Sequence, residues 1–231
     1  MRISRALPIL LASGLLVAGL ASCAAPVEDD TKPDTSESTE ETPVEETEAP
    51  VVTGDYVAAS FANPVTNPGE LLTSVTGTNF QVDIYQVGTA AATKTGSFAN
   101  PDTSKPIIEV GAELVFVNYV ITNTSDEDIP LTSLLVDVTA RYADWPYLQG
   151  MDSIVDFTLD EQMGINRSGL ATGNLEAPFI WEPGTSFSYG QNFLYQAGSP
   201  ITFSAGLTPS DEDGDLNHDL AQDVTVDTSI K

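Results

Sequence analysis

ELVFVNYVITN, residues 113–123, is apolar at nearly every position, and its Val, Ile, Phe and Tyr content is that of a β-strand. It shows no alternation of apolar and polar side chains, so both of its faces must be covered. A strand covered on both faces lies in the middle of a layered structure. The stretch that follows, NTSDEDIP at Asn123–Pro130, is turn chemistry that ends it.

Working outward, the same short β-forming runs recur. FQVDIYQV (80–87) alternates Val82, Ile84 and then Val87 against polar positions and reads as a half-buried strand. LTSLLVDVTARY (131–142) places Leu134, Val136 and Val138 inward against Leu135, Asp137 and Thr139. SFSYGQNFLY (186–195), SPITFSAGL (199–207) and DVTVD (223–227) supply three further strands, and EPGT (182–185) puts Pro-Gly where a type II turn needs it. Residues 152–164, DSIVDFTLDEQMG, hold a short helix or an irregular crossover, and no long stretch has a helical period. Trp145 and Trp181 are expected in the core. The repeated SFANP, at 60–64 and 97–101, is followed by unrelated sequence and reads as two loop or edge segments. The expected fold is an all-β sandwich over residues 56–231, a length able to bury about 70% of the unfolded chain's surface.

The N-terminal quarter has a different character. Arg2 and Arg5 precede an apolar segment, Ala6–Ala21, which has the parts of an export signal and is shorter than the roughly 20 residues of a membrane-crossing helix. Leu20, Ala21 and Ser22 lead into Cys23, the one cysteine in the chain, and this arrangement resembles the bacterial lipobox. The resemblance implies a signal peptide over 1–22, cleavage before Cys23 and diacylglycerol on its thiol. An ordinary secretory peptide cut nearby is the alternative. With a single cysteine no internal disulfide forms, so the domain must be stabilised by its own core. Residues 23–55 follow, built almost wholly of Glu, Asp, Thr, Ser, Pro, Ala and Val. Such a composition cannot bury enough apolar area to offset chain entropy and reads as a disordered acidic tether averaging roughly 30 Å end to end. A recognition motif or glycosylated stalk is the alternative use of it.

The order of elements also carries a family resemblance. Residues 63–88, then 98–131 with GAELVFVNYVITNTSD (111–126), then 181–206 with its PG turn, F-rich strand and closing P-x-T strand (Pro183–Phe203), resemble the immunoglobulin-like domain sometimes called telokin-like, a domain of unknown function in exported lipoproteins of Gram-positive bacteria. That resemblance spans roughly Asn63–Leu207 and implies an immunoglobulin-like fold outside the cytoplasm. It brings no catalytic residues with it.

Charge and motif content narrow the function. Thirty-four acidic residues against eight basic ones give −26, and loss of Arg2 and Arg5 with a signal peptide takes this to −28. Nucleic acid is excluded as a partner, because phosphate binding needs the missing Lys and Arg, whereas cations are charge-compatible. His218 is the lone histidine, so histidine triads and multi-histidine metal sites are excluded, and neither a Gly-x-Ser-x-Gly elbow nor a glycine-rich phosphate loop occurs. No catalytic residue and no obligatory cofactor is expected. Two carboxylates could serve a hydrolase, but 34 acids make such a pair uninformative.

The most pointed constellation is DEDGDLNHD (211–219), with Asp211, Asp213, Asp215, Asn217 and Asp219 alternating around Gly214. Alternate oxygen ligands in a loop suit Ca²⁺, although the EF-hand spacing fails and a solvated acidic loop is the competing reading. The sequence therefore points to a lipid-anchored module on the outer face of the cell membrane. Its partners are the membrane through Cys23 and an envelope protein or small ligand. The alternative is a solute- or cation-capturing lipoprotein serving a transporter.

Overall fold

The computed structural model describes residues 55–173 and 176–231. The stretch read as a signal peptide (1–22), Cys23 and the stretch read as a tether, up to Gly54, lie outside the described residues. Strands in chain order are β1 (Val57–Ala58), β2 (Glu70–Thr76), β3 (Phe80–Ala91), β4 (Glu113–Asn123), β5 (Ile129–Leu131), β6 (Val136–Tyr142), β7 (Phe179–Trp181), β8 (Thr185–Leu194), β9 (Pro200–Leu207) and β10 (Gln222–Ser229), with one α-helix, α1 (Phe157–Met163). They form a five-stranded sheet in the order β1-β8-β4-β3-β2, a three-stranded sheet β10-β9-β6, and a two-stranded ladder β5-β7. All pairings are antiparallel except β1 with β8. Among the described residues no helix is long and apolar enough to cross a membrane.

β4 is the centre, as its composition requires. It is hydrogen-bonded to β3 on one edge and to β8 on the other, and every residue from Leu114 to Asn123 is buried. One face, Val115, Val117, Tyr119 and Ile121, joins Val82, Ile84 and Phe187 against Val136, Val138, Ile201, Phe203 and Leu207 of the second sheet. Tyr119 meets Phe203 across the sheets edge-on, with ring centroids 6.0 Å apart. From the other face, Leu114 and Phe116 enter a second cluster with Ile108, Ile154, Leu159 and Ile165. Both expected tryptophans are in the main core, Trp181 fully buried and its Nε1 donating to the Thr185 carbonyl at 3.0 Å.

Two sequence expectations need correction. β3 is not half-buried: Gln81 and Asp83, read as solvent-facing, are fully enclosed, and a bulge between Gln86 and Gly88 explains why apolar Val87 breaks the alternation. Leu134 does not point inward. Thr132–Leu135 is a turn closed by the Leu135 N–H on the Thr132 carbonyl, so Leu134 is 68% exposed, Leu135 is buried at φ 52°, and the strand begins only at Val136. The strands β1, β2, β5 and β7 went unforeseen because they are short or polar. The Pro183–Gly184 turn does form, with Gly184 at φ 70° where a type II turn demands a positive angle.

The free edge of β6 is closed by side chains. Tyr189 of β8 accepts from the Val138 N–H at 2.7 Å and donates to the Val136 carbonyl at 3.2 Å, and the Met151 sulfur lies 3.4 Å from the Tyr142 N–H.

Truncating Trp181 to Ala should lower unfolding free energy by about 3–5 kcal/mol, since a cavity would open at the core's centre. Leu148→Ala, at a 99% exposed site, should change it by less than about 0.5 kcal/mol. Urea denaturation followed by tryptophan fluorescence for the second variant and by circular dichroism for both checks the contrast.

Candidate functional site

The segment between Tyr56 and Thr66 crosses the sheet and is held there by polar groups on β3, β4 and β8. Asp83, fully buried, accepts from the Tyr56 hydroxyl at 2.7 Å, from the Gln81 amide at 2.8 Å and from Ser74. Tyr56 also shares a 2.7 Å bond with the Tyr85 hydroxyl. Burial first, then the bonds to Tyr85 and Asp83, push the Tyr56 phenol well above its usual range, so it stays a proton donor. Further along, the Ala59 N–H donates to the Ser186 carbonyl at 2.8 Å, the Thr66 N–H to Ser188 Oγ at 2.9 Å, and Asn118 Nδ2 to the Thr66 carbonyl at 2.7 Å. These bonds set Asn63 and Thr66 as one wall of a cleft.

The other wall comes from α1 and the segment after it. Asp156 has extended backbone angles and caps the helix by accepting from the Thr158 and Leu159 N–H groups at 3.0 and 3.3 Å. Gly164 ends it in the left-handed conformation at φ 67°. The chain then returns toward the first wall, where Asn63 Nδ2 donates to the Ser168 and Leu170 carbonyls at 3.1 and 2.9 Å. Between them opens a cleft of about 500 Å³ whose lining includes Asn63, Thr66, Phe157, Glu161, Arg167 and Leu170.

Its base is an ion pair. Arg167 Nε and one terminal nitrogen contact the two Asp160 oxygens at 2.7 and 2.8 Å, and that terminal nitrogen also donates to the Ile154 carbonyl at 3.0 Å. Asp160 is 3% exposed, so its charge is tolerated only because the guanidinium meets it in a two-point geometry. Phe157 and Glu161 stand one turn apart on α1, and the phenyl ring is 73% exposed. The arrangement offers an exposed aromatic face, one carboxylate and amide and hydroxyl groups, a set suited to holding a small amphipathic molecule.

None of these residues was singled out from sequence. One signal was available: Arg167 is one of only five basic residues from Asp55 onward, set among 24 acidic ones, and a rare cation seven residues after an acid invites a search for a pair.

Of the residues that sequence did single out, Cys23 lies outside the described residues. The 211–219 segment is a surface loop. Asp211 Oδ1 accepts from the Asp213 and Asp215 N–H groups at 3.0 and 2.9 Å, its own N–H donates to the Asp215 carbonyl at 2.8 Å, and Gly214 turns at φ 86°. Asn217 Oδ1 accepts from the Asp219 N–H at 3.2 Å and caps the short 3-10 turn His218–Leu220. The acids build the loop and are otherwise exposed. Among the described residues no group of three or more His, Cys, Asp or Glu side chains is placed to hold a metal ion, those of Asp211, Asp213, Asp215 and Asp219 included.

No family model matches the chain, and no curated protein does. Similar solved structures include a candidate lipoprotein (ycdA) from Bacillus subtilis, at 16% identity and a TM-score of 0.39, covering 69% of this chain and 39% of that one. A functionally unknown protein from Listeria monocytogenes matches at 13% identity and a TM-score of 0.38, covering 71% of this chain and 85% of that one. This chain thus spans well under half the length of the Bacillus protein.

Replacing Arg167 by Met should cost about 3 kcal/mol, because Asp160 is left charged and enclosed, whereas the double variant Asp160→Leu/Arg167→Met should recover most of the loss. Denaturation midpoints of the three chains test this. A pH test concerns Asp156. The Thr93 hydroxyl, and next the Leu159 N–H, hold its carboxyl below the usual range. A lowered folded value means the contribution is complete above the unfolded Asp range and is lost as pH falls through the folded value. The melting-temperature gap between wild type and Asp156→Ala should therefore be open at neutral pH and narrow as pH falls below the unfolded Asp range.

Proposed function

We propose that the chain is a lipid-anchored protein of the extracytoplasmic face of the cell membrane, whose β-sandwich binds a ligand or partner at the envelope and carries out no catalysis. The observation that carries this reading is Leu20-Ala21-Ser22-Cys23 behind an apolar, basic-headed segment. Two or three acyl chains at Cys23, at about 0.8 kcal/mol per buried CH₂, hold a protein stably where one chain would not. The acidic stretch that follows is the spacer between anchor and domain.

What the domain offers a ligand is the cleft between Asn63–Thr66 and α1. Its volume of about 500 Å³ lies in the range of small-molecule sites, and this favours, as a second reading, capture of a solute for a transporter. The telokin-like resemblance fits either use. Crosslinking in intact cells followed by mass spectrometry separates the two: a transporter subunit among the captured proteins supports solute delivery, and envelope proteins of other kinds support an accessory module.

For the anchor itself, cells fed labelled palmitate should incorporate it into the wild-type chain and not into Cys23→Ser. Equal labelling of both would refute Cys23 as the acceptor.

A further inference from the structure

We propose that the cleft between α1 and the Asn63–Thr66 segment selects organic cations, namely a protonated amine carried on an aromatic or other apolar body. This rests on the reading of the domain as a binding module and adds the chemistry of its ligand. The first ground is the face that α1 turns to the cleft. Phe157 and Glu161 are four residues apart and therefore neighbours on one helical face, and both line the cleft. An aromatic ring attracts a cation over its face through its quadrupole, and an adjacent carboxylate adds a charge partner. The ring is 73% exposed, an unusual state for phenylalanine, and among the described residues Glu161 is in no ion pair.

The second ground is the charge at the base. Arg167 would repel a cation were it free, but its guanidinium is engaged by both Asp160 oxygens at 2.7 and 2.8 Å. The pair cancels, and the remaining charge in the lining is that of Glu161. The third ground is the field of the domain. Twenty-four acidic against five basic side chains from Asp55 onward leave a formal −19, which draws cations toward the surface and slows anions. A divalent metal is a poor fit, since no group of three acidic, His or Cys side chains converges among the described residues. Leu170 and the Phe157 ring provide apolar contact for the body of the ligand.

Three probes with one ring and three charges separate the possibilities: tyramine (cation), tyrosol (neutral) and 4-hydroxyphenylacetate (anion). With the full chain in non-ionic detergent, ligand-observed NMR titration should show tyramine binding about five-fold more tightly than tyrosol, with the anion weakest. Glu161→Gln should bring tyramine to the level of tyrosol. Phe157→Leu, which keeps apolar area and removes the ring, should weaken tyramine more than tyrosol. Glu109→Gln, an acid outside the cleft, should change nothing. Both cleft side chains are exposed, so an unchanged melting temperature confirms that each variant is folded.

Equal affinity for all three probes, or tyramine affinity indifferent to Glu161→Gln, would overturn the proposal, as would no binding of any of them. The binding-module reading is judged separately by the crosslinking capture. Tyrosol and tyramine binding alike, both weakened by Phe157→Leu, sinks the cation and leaves the module.

Discussion

The double burial of β4 is the constraint from which the rest of the structure follows. A strand with partners on both edges has every backbone N–H and C=O committed to ladders, and it can tolerate a dry environment on both faces only if two separate layers cover it. The three-stranded sheet covers one face. The other is covered piecemeal: apolar residues from α1 and from the loops around Ile108 and Ile154 enclose Leu114 and Phe116, while polar groups surround Asn118 and Thr122. The helix and the crossing segment are thus the material of the third layer. The cleft lies where those two pieces meet.

That polar portion is unusual. Asp83 sits fully buried with hydroxyl and amide donors and, among the described residues, no cation beside it. A buried carboxylate of this kind is tolerated because each donor offsets part of its lost hydration, and the arrangement selects one geometry for the groups that supply them. Tyr56 is one of those groups. The position of the first wall of the cleft therefore traces back to a charge on a neighbouring strand, through a side chain nearly thirty residues earlier in the sequence.

This history separates what could be read from what could not. β4 was legible to the residue, because an unbroken run of Val, Phe, Tyr and Ile has only one comfortable environment. The same holds for Trp181 and for the Pro183–Gly184 turn, whose chemistry is local. Gln81 and Asp83 were misread because polarity in a period-2 strand ordinarily marks the solvent face, and only the crossing segment reverses that. Leu134 and Leu135 were exchanged because both belong to the Thr132–Leu135 turn, where the period-2 alternation that holds from Val136 onward does not apply. The cleft was invisible in sequence: its walls lie about a hundred residues apart and are joined by long-range bonds such as those from Asn63 to the Ser168 and Leu170 carbonyls and from Asn166 to the Pro64 carbonyl. In the acidic loop at 211–219 the alternation that suits ligand spacing also serves turn building, with Asp211 accepting from two backbone N–H groups.

The edge of β6 has a meaning for how such domains live beside one another. An open strand edge is an invitation to a passing strand, from a neighbour or from an unfolded chain, because it presents a row of unpaired donors and acceptors. Here a tyrosine from the opposite sheet has already answered at Val136 and Val138, and a thioether stands at Tyr142. Crowded copies would find that border closed by the protein's own side chains, and each molecule keeps to itself along it.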